Sequence, residues 1–198
     1  MTTIYLASRS PRRRELLTQL GIDHELLLAP PSEGPDEPQL PGERAADYVR
    51  RTAREKALAG AELMQMRELP ARPVLAADTT VILDGDVLGK PLDRDDAGRI
   101  LRRLSGSTHE VHTALAMVHG GILHEDVSVT RVRFRALDER DIASYCDSGE
   151  PFDKAGAYGI QGLGGVFVEH IAGSFTGVMG LPLFETARLL AIAGIALP

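Results

Sequence analysis

"LASRSPRRRELL" (residues 6–17) carries the end of a strand, a turn and the start of a helix, the first step of an alternating α/β chain. Ser10 stands where its side chain can cap a free backbone N–H, and Pro11 suits the first helical position. Leu16, Leu17 and Leu20 follow at helical spacing, and Gly21 is placed to end the helix. Arg12, Arg13 and Arg14 crowd the first turn, where the dipole is already positive and acids are favoured. Successive helical residues fan out by about 100°, so three in a row cannot all reach one ligand, whereas two can. Free N–H groups, the dipole and guanidinium forks together suit a phosphate. A solvated basic turn is the plain alternative.

Residues 4–7 form the strand before this turn and 25–28 a second strand-like run. The stretch "APPSEGPDEPQLPGE" (residues 29–43) is rich in proline and acid and reads as an exposed loop. A long helix is expected over 43–66 and a strand over 74–83, with a tight turn at Asp84-Gly85. A helix over 93–104, a hairpin of 111–118 with 122–134 around Gly120-Gly121, and a short helix over 138–147 follow. Next comes the glycine-rich "GEPFDKAGAYGIQGLGG" (residues 149–165). Residues 166–171 and 175–179 are read as strands pairing across 172–174, and Pro182 opens a last helix ending near Gly194. Helices alternating with strands, plus hairpins, predict an α/β fold with a mixed central sheet flanked by helices. A second lobe built on the middle hairpins would leave a cleft between lobes as the site. The whole chain, 1–198, is expected to be one domain.

Composition narrows the function classes. Hydrophobic residues make up 43% and charged residues 25%, an ordinary globular balance. The net charge of −6 argues against a general nucleic-acid binder. A single cysteine, Cys146, allows neither an internal disulfide nor a multi-cysteine zinc site and suits a reducing compartment. No signal peptide or membrane span is read, so a cytoplasmic protein is expected. The chain holds only three lysines, Lys56, Lys90 and Lys154, among its 22 basic residues. Where arginine is the general cation, a lysine marks a place that wants a compact, flexible ammonium.

Several residues sit oddly in their surroundings. Asp78 interrupts the apolar and β-branched "VLAADTTVILDG", where a carboxylate is costly unless paired, hydrogen-bonded or on a metal. Lys56 shares a helical stripe with Val49, Thr52, Ala53, Gly60 and Leu63, so it either snorkels to solvent or extends into a cleft toward an anion. Lys90, in "GDVLGKP", is no P-loop lysine: the glycine spacing is too short, and Pro91 stands where Ser or Thr would hold the metal. It is still placed at a glycine-flexed strand end, and Lys154 lies in a similar small-residue setting. His109 and His112, three apart in a strand, point to opposite faces. Tryptophan is absent and aromatics are sparse, so no base-stacking platform is visible. Scattered cations, a few acids and no nucleophile suggest metal-assisted attack of water on a polyphosphate.

"LASRSPRRRELL", "AREKA", "AADTTVILDGDVLGKP", "LSGSTHEVHTA", "DKAGAYGIQGLGG" and "GLPL" together resemble the signature segments of the Maf family of nucleoside triphosphate pyrophosphatases. They occur in the family's order and span nearly the whole chain. The resemblance implies a Maf / inosine triphosphatase-like fold of two lobes, a cytoplasmic homodimer, and a divalent metal, Mg2+ or Mn2+. It implies hydrolysis of a nucleoside triphosphate to the monophosphate and pyrophosphate, with links to nucleotide-pool cleaning and septum formation. By position, Asp78 matches the proton acceptor and a metal ligand. Glu33 matches a metal-binding acid, although "PPSEGPDE" departs from the commoner "DE" pairing and leaves Asp36 and Glu37 as alternatives. Ser8, Arg13, Lys56, Lys90 and Lys154 match phosphate-contacting positions.

Arg12, Thr79 and Gln161 match the specificity positions of the branch acting on dTTP and UTP; the 7-methyl-GTP branch carries Trp, Gln and Glu there. A glutamine amide complements the carbonyl and N3–H edge of uracil or thymine, whereas tryptophan suits a cationic methylated purine. The alternatives are the same hydrolysis on modified pyrimidine or 7-methyl-GTP nucleotides, or a non-catalytic nucleotide- or nucleic-acid-binding regulator of septum formation.

Overall fold

Two parallel crossovers begin the chain. In the computed structural model, which describes residues 3–28 and 38–197, β1 (Ile4–Leu6) leads through a short turn into α1 (Pro11–Gln19). The chain returns as β2 (His24–Leu26), parallel to β1. A long helix, α2 (Ala45–Met66), then crosses to β3 (Val74–Leu83), which pairs parallel with the other side of β1. Apolar side chains explain both crossovers: Leu16 and Leu17 bury α1, and Val49, Ala53 and Ala57 bury α2, with Gly60 on the same buried face.

Hairpins complete the sheet. β4 (Asp86–Leu88) folds back on the end of β3. After α3 (Arg94–Leu104), β5 (Thr108–His119) pairs antiparallel with β3, β6 (Ile122–Phe134) with β5, and β7 (Val168–Ala172) with β6. The strand order is β2-β1-β3-β5-β6-β7, with β4 beside β3. Both two-residue turns take positive φ at both positions, 53° and 88° at Asp84-Gly85 and 57° and 79° at Gly120-Gly121. That geometry matches the twist of the flanking strands. Between β6 and β7 lie α4 (Glu139–Asp147) and three 3-10 turns, Glu150–Asp153, Ala155–Ala157 and Leu163–Phe167.

The mixed sheet and its flanking helices match the expected α/β class, but the last hairpin does not form. Residues 175–179 are instead a short helix, α5 (Phe175–Met179), before α6 (Leu183–Ile192). Ser174 caps it, its Oγ accepting from Gly177 N at 2.9 Å, and Gly180 closes it at φ 114°. Capping at both ends outweighs the strand preference of Phe175 and Val178. The other partner β7 would have had is replaced by β6 alone.

Two apolar cores share the long strands. At one end α1 and α6 pack on Leu75, Ala77, Leu115 and Met117. At the other end of the same strands, α3 and α4 pack on Val81, Leu83, Val111, Val132 and Phe134. α2 covers the opposite face through Ala76, Ala114 and Ala116.

The glycine-rich segment is held to the second core by Gly156. At φ 72°, a Cβ there would lie 2.8 and 2.9 Å from the two methyls of Val81. Gly156→Ala is expected to destabilise by about 2–4 kcal/mol, combining left-handed strain with overpacking. Urea unfolding checks this, and adding Val81→Ala should recover the packing part alone.

His109 is buried against Phe134 and Tyr158, and its Nε2 lies 2.8 Å from the Tyr158 hydroxyl. Burial pushes its pKa down from 6.5 to about 4. The unfolded chain therefore binds a proton that the folded chain refuses, and stability falls as pH drops from about 6.5 to 4. His109→Leu should remove about 3 kcal/mol of that pH dependence in denaturant unfolding at pH 7 against pH 4.

Candidate active site

Asp78 lies in the middle of β3 on the face that α2 covers. The small residues Ala53, Ala57 and Gly60 let the helix come close; at Gly60 a Cβ would sit 2.8 Å from Val74 Cγ1. That approach carries Lys56 to the strand, where Nζ donates to Asp78 Oδ1 at 2.8 Å. The side chains are 27% and 13% exposed respectively, so the pair opens to solvent without being a surface pair. Lys56 therefore neither snorkels away nor stands apart from Asp78: it brings positive charge to the carboxylate.

The three arginines separate, as a helical fan requires. Arg14 faces solvent. Arg13 turns inward and is buried. Its Nε donates to Gly180 O at 2.7 Å, Nη1 to Ser8 Oγ at 2.9 Å and Nη2 to Thr79 Oγ1 at 3.2 Å. A solvated basic turn is thus ruled out. Ser8 accepts from Arg13 and, at 3.3 Å, from Ser10 N, which leaves its own O–H to donate to a ligand oxygen. Ser10 occupies the cap position, yet its side chain makes no capping bond, and α1 carries no acid in its first turn. The expected Ser10 cap does not form: Ser8 Oγ accepts from Ser10's own N–H instead, and the positive end of α1 stays open.

Thr79 points to the face opposite Asp78. Its Oγ1 lies 3.0 Å from Thr113 Oγ1, and Thr113 donates onward to Gly177 O at 2.7 Å. Because Thr113 spends its proton on the carbonyl, the hydrogen shared by the two threonines belongs to Thr79. Toward a ligand Thr79 then offers only an acceptor.

Arg12 takes the third direction. Its Nη1 reaches Asp153 Oδ2 at 3.0 Å, while Lys154 Nζ bonds the other oxygen, Oδ1, of the same carboxylate. Burial opposes ionisation of Asp153, but the bonds from Lys154 and Arg12 outweigh it and hold the carboxyl below its ordinary range. Arg12, matched to a specificity position, and Lys154, matched to a phosphate-contacting one, thus meet on one acid. Lys90 is exposed beyond β4, and its neighbour Gly89 accepts from Gly156 N at 3.0 Å, which brings that strand end to the Lys154 segment. Gln161 is exposed on the glycine-rich loop.

Glu33, with Asp36 and Glu37, lies outside the described residues. Among the described residues no group of three His, Cys, Asp or Glu side chains forms a metal cage. No helix among them is long and apolar enough to cross a membrane. Sequence reasoning missed Asp153, Thr113 and Glu150. The only signal available was an acid at each end of "EPFD" and a threonine opposite Thr79 in the strand register.

A family model described as Maf-like protein matches residues 3–193. A dTTP/UTP pyrophosphatase of Bordetella parapertussis is 66% identical over 195 residues, 98% of this chain and 94% of that one. One from Dechloromonas aromatica is 55% identical over 192 residues, covering 94% and 95%. Among solved structures, a Staphylococcus aureus Ham1 protein gives a TM-score of 0.46 at 12% identity over 67% of this chain and 72% of that one. With the family match running almost from end to end and relatives at such identity, this chain belongs to the Maf family.

Proposed function

We propose that this protein hydrolyses dTTP and UTP to the nucleoside monophosphate and pyrophosphate. The observation that carries the reading is the Lys56–Asp78 pair, half-open to solvent in the middle of the sheet. Ser8, Arg12, Lys90 and Lys154 are four further groups that can meet phosphate oxygens, and relatives named dTTP/UTP pyrophosphatase are 66% and 55% identical.

In this reading Arg12, Lys90 and Lys154 spread positive charge along the triphosphate, and Ser8 donates its O–H to a phosphate oxygen. Arg13, already bonded to Ser8 and Thr79, holds both hydroxyls in place. Asp78 orients the attacking water and accepts its proton as the oxygen bonds the α-phosphorus. The bond to the bridging oxygen breaks, and pyrophosphate leaves with that electron pair. Lys56 keeps one Asp78 oxygen fixed, so the other is the one turned to the water. An aspartate is a weak base at neutral pH, and a divalent cation, Mg2+ or Mn2+, supplies the acidified water that makes the transfer feasible. The residues fit such an ion. Magnesium commonly takes one or two carboxylates plus substrate phosphates rather than an all-protein cage. Asp78 is one such carboxylate, and Glu33 is proposed as the second.

At the base end, Gln161 presents both an amide donor and an acceptor, which suits the carbonyl and N3–H edge of uracil or thymine. Thr79 and Arg12 are assigned to specificity by the family resemblance, Arg12 from its place beside Lys154 on Asp153. A single domain, in a cytoplasmic homodimer, completes the reading.

Asp78→Asn is expected to lower kcat on dTTP with Mg2+ by about 10²–10⁴-fold, with urea unfolding close to wild type because the amide oxygen still accepts from Lys56. Separating monophosphate plus pyrophosphate from diphosphate plus phosphate tests the bond cleaved, and activity retained in the variant removes Asp78 from its role. Gln161→Glu should reduce kcat/KM for both dTTP and UTP by about tenfold or more through loss of the amide donor. Since Gln161 is exposed, stability should shift by no more than about 0.5 kcal/mol. An unchanged nucleotide profile would remove Gln161 from base recognition.

A further inference from the structure

The loop that carries Gln161 has no regular secondary structure from Tyr158 to Gly162. A specificity residue on such a loop needs an anchor, because freezing a mobile loop at the moment of binding costs affinity. One side chain supplies it. Glu150 opens the glycine-rich segment, and its carboxylate turns back beneath the loop. Oε2 accepts from Leu163 N at 2.8 Å, and Oε1 accepts from Gly164 N at 3.0 Å and from the Tyr145 hydroxyl at 2.8 Å. The Tyr145 oxygen in turn accepts from Gly159 N at 3.1 Å. The loop is therefore pinned on both sides of Gln161, at Gly159 and at residues 163–164, by one carboxylate and the tyrosine it holds.

The fit leaves no slack. A Cβ at Gly162 would lie 2.4 Å from Glu150 Oε2, and one at Gly164 would lie 2.6 Å from the Tyr145 hydroxyl. Burial alone would favour the neutral acid, but the Gly164 and Leu163 N–H groups and Tyr145 outweigh it and keep Glu150 ionised. The same residue also reaches the phosphate end, since its backbone carbonyl accepts from Lys154 Nζ at 2.7 Å.

We propose that Glu150 is a positioning residue for base selection: its carboxylate, with Tyr145, pre-sets the loop so that Gln161 meets the pyrimidine edge without an ordering cost. The inference rests on the reading of Gln161 as the base-contacting residue. Glu150→Gln keeps the size and the backbone bond to Lys154. With its carbonyl toward Tyr145 and Gly164, however, its NH2 faces the Leu163 N–H, donor against donor. A loosened Gln161 should weaken only substrates that use its hydrogen bonds. UTP would lose affinity, and CTP, whose base edge presents the opposite donors and acceptors at C4 and N3, would not.

The test is kcat and KM for UTP and CTP with Mg2+ in wild type, Gln161→Ala, Glu150→Gln and Tyr145→Phe, well below each variant's unfolding temperature. The expected result is a rise of about tenfold in the UTP KM for Glu150→Gln, with kcat little changed and CTP unaffected. The UTP/CTP ratio then falls toward that of Gln161→Ala, and the double variant Glu150→Gln/Gln161→Ala discriminates no worse than Gln161→Ala alone. If Glu150→Gln does not fold, Tyr145→Phe gives the same readout, because it removes the bonds to Glu150 and Gly159 while keeping the ring. A ratio within twofold of wild type in both, or an equal loss for both nucleotides, overturns the proposal while Gln161→Ala still collapses the ratio. A ratio unchanged in Gln161→Ala itself overturns the base reading, and this inference falls with it.

Discussion

Polar groups inside a sheet must be matched where they stand, and the middle of this sheet is built around that constraint. On the face of α1 and α6, β3 runs Leu75, Ala77, Thr79, Val81, Leu83 and β5 runs Met117, Leu115, Thr113, Val111, His109. Thr79 and Thr113 are register partners. A polar pair thus sits between two apolar cores, and an unmatched hydroxyl there would cost about 1–3 kcal/mol. Arg13 completes the match: its guanidinium reaches Thr79, Ser8 and Gly180, and the threonines pass the chain on to Gly177. The first turn of α1, two central strands and α5 are fixed to one another by one continuous line of hydrogen bonds.

The other face solves the same problem with charge. There Ala76, Ala114 and Ala116 let α2 approach, and the polar break in the alanine surface is Asp78, matched by Lys56. A buried ion pair seldom adds stability over an apolar pair of similar size, so stability is a poor reason for its presence. A pair that keeps access to solvent, at 27% and 13% exposure, can exchange one partner for a ligand. The two polar matches at the sheet's middle therefore differ in kind: the threonine–arginine line is closed, and the lysine–aspartate pair is open.

Much of this was legible in the sequence where a residue contradicted its setting. Asp78 in a β-branched run and Lys56 on an apolar helical stripe declared themselves, and β3 was bounded to the residue. Legibility failed where tertiary partners decide. Residues 175–179 have strand-like composition, and only Ser174 Oγ on Gly177 N and the positive φ of Gly180 make them helical. Arg12, Arg13 and Arg14 are equivalent as letters; burial of one of them depends on Gly180, far along the chain. Glu150 is one acid before a glycine-rich run, and its purpose appears only when the loop folds back over its carboxylate.

The arginines at the positive end of α1 also sort by what it costs to move them. Arg13 is buried and spends three donors on protein acceptors, so freeing it for a phosphate would strand Thr79, Ser8 and a carbonyl. Arg12 is different. It is bonded to Asp153, whose side chain is 62% exposed, and such exposed pairs contribute about 0–1 kcal/mol. The same acid holds Lys154, so two cations that would otherwise repel are kept side by side by a carboxylate that is cheap to displace. A polyphosphate offers both cations more negative charge than Asp153 does, in a geometry guanidinium and ammonium already favour. Charge that opposes the helix dipole in the empty protein is therefore stored in two forms, one fixed as scaffold and one held loosely enough to be given to an anion.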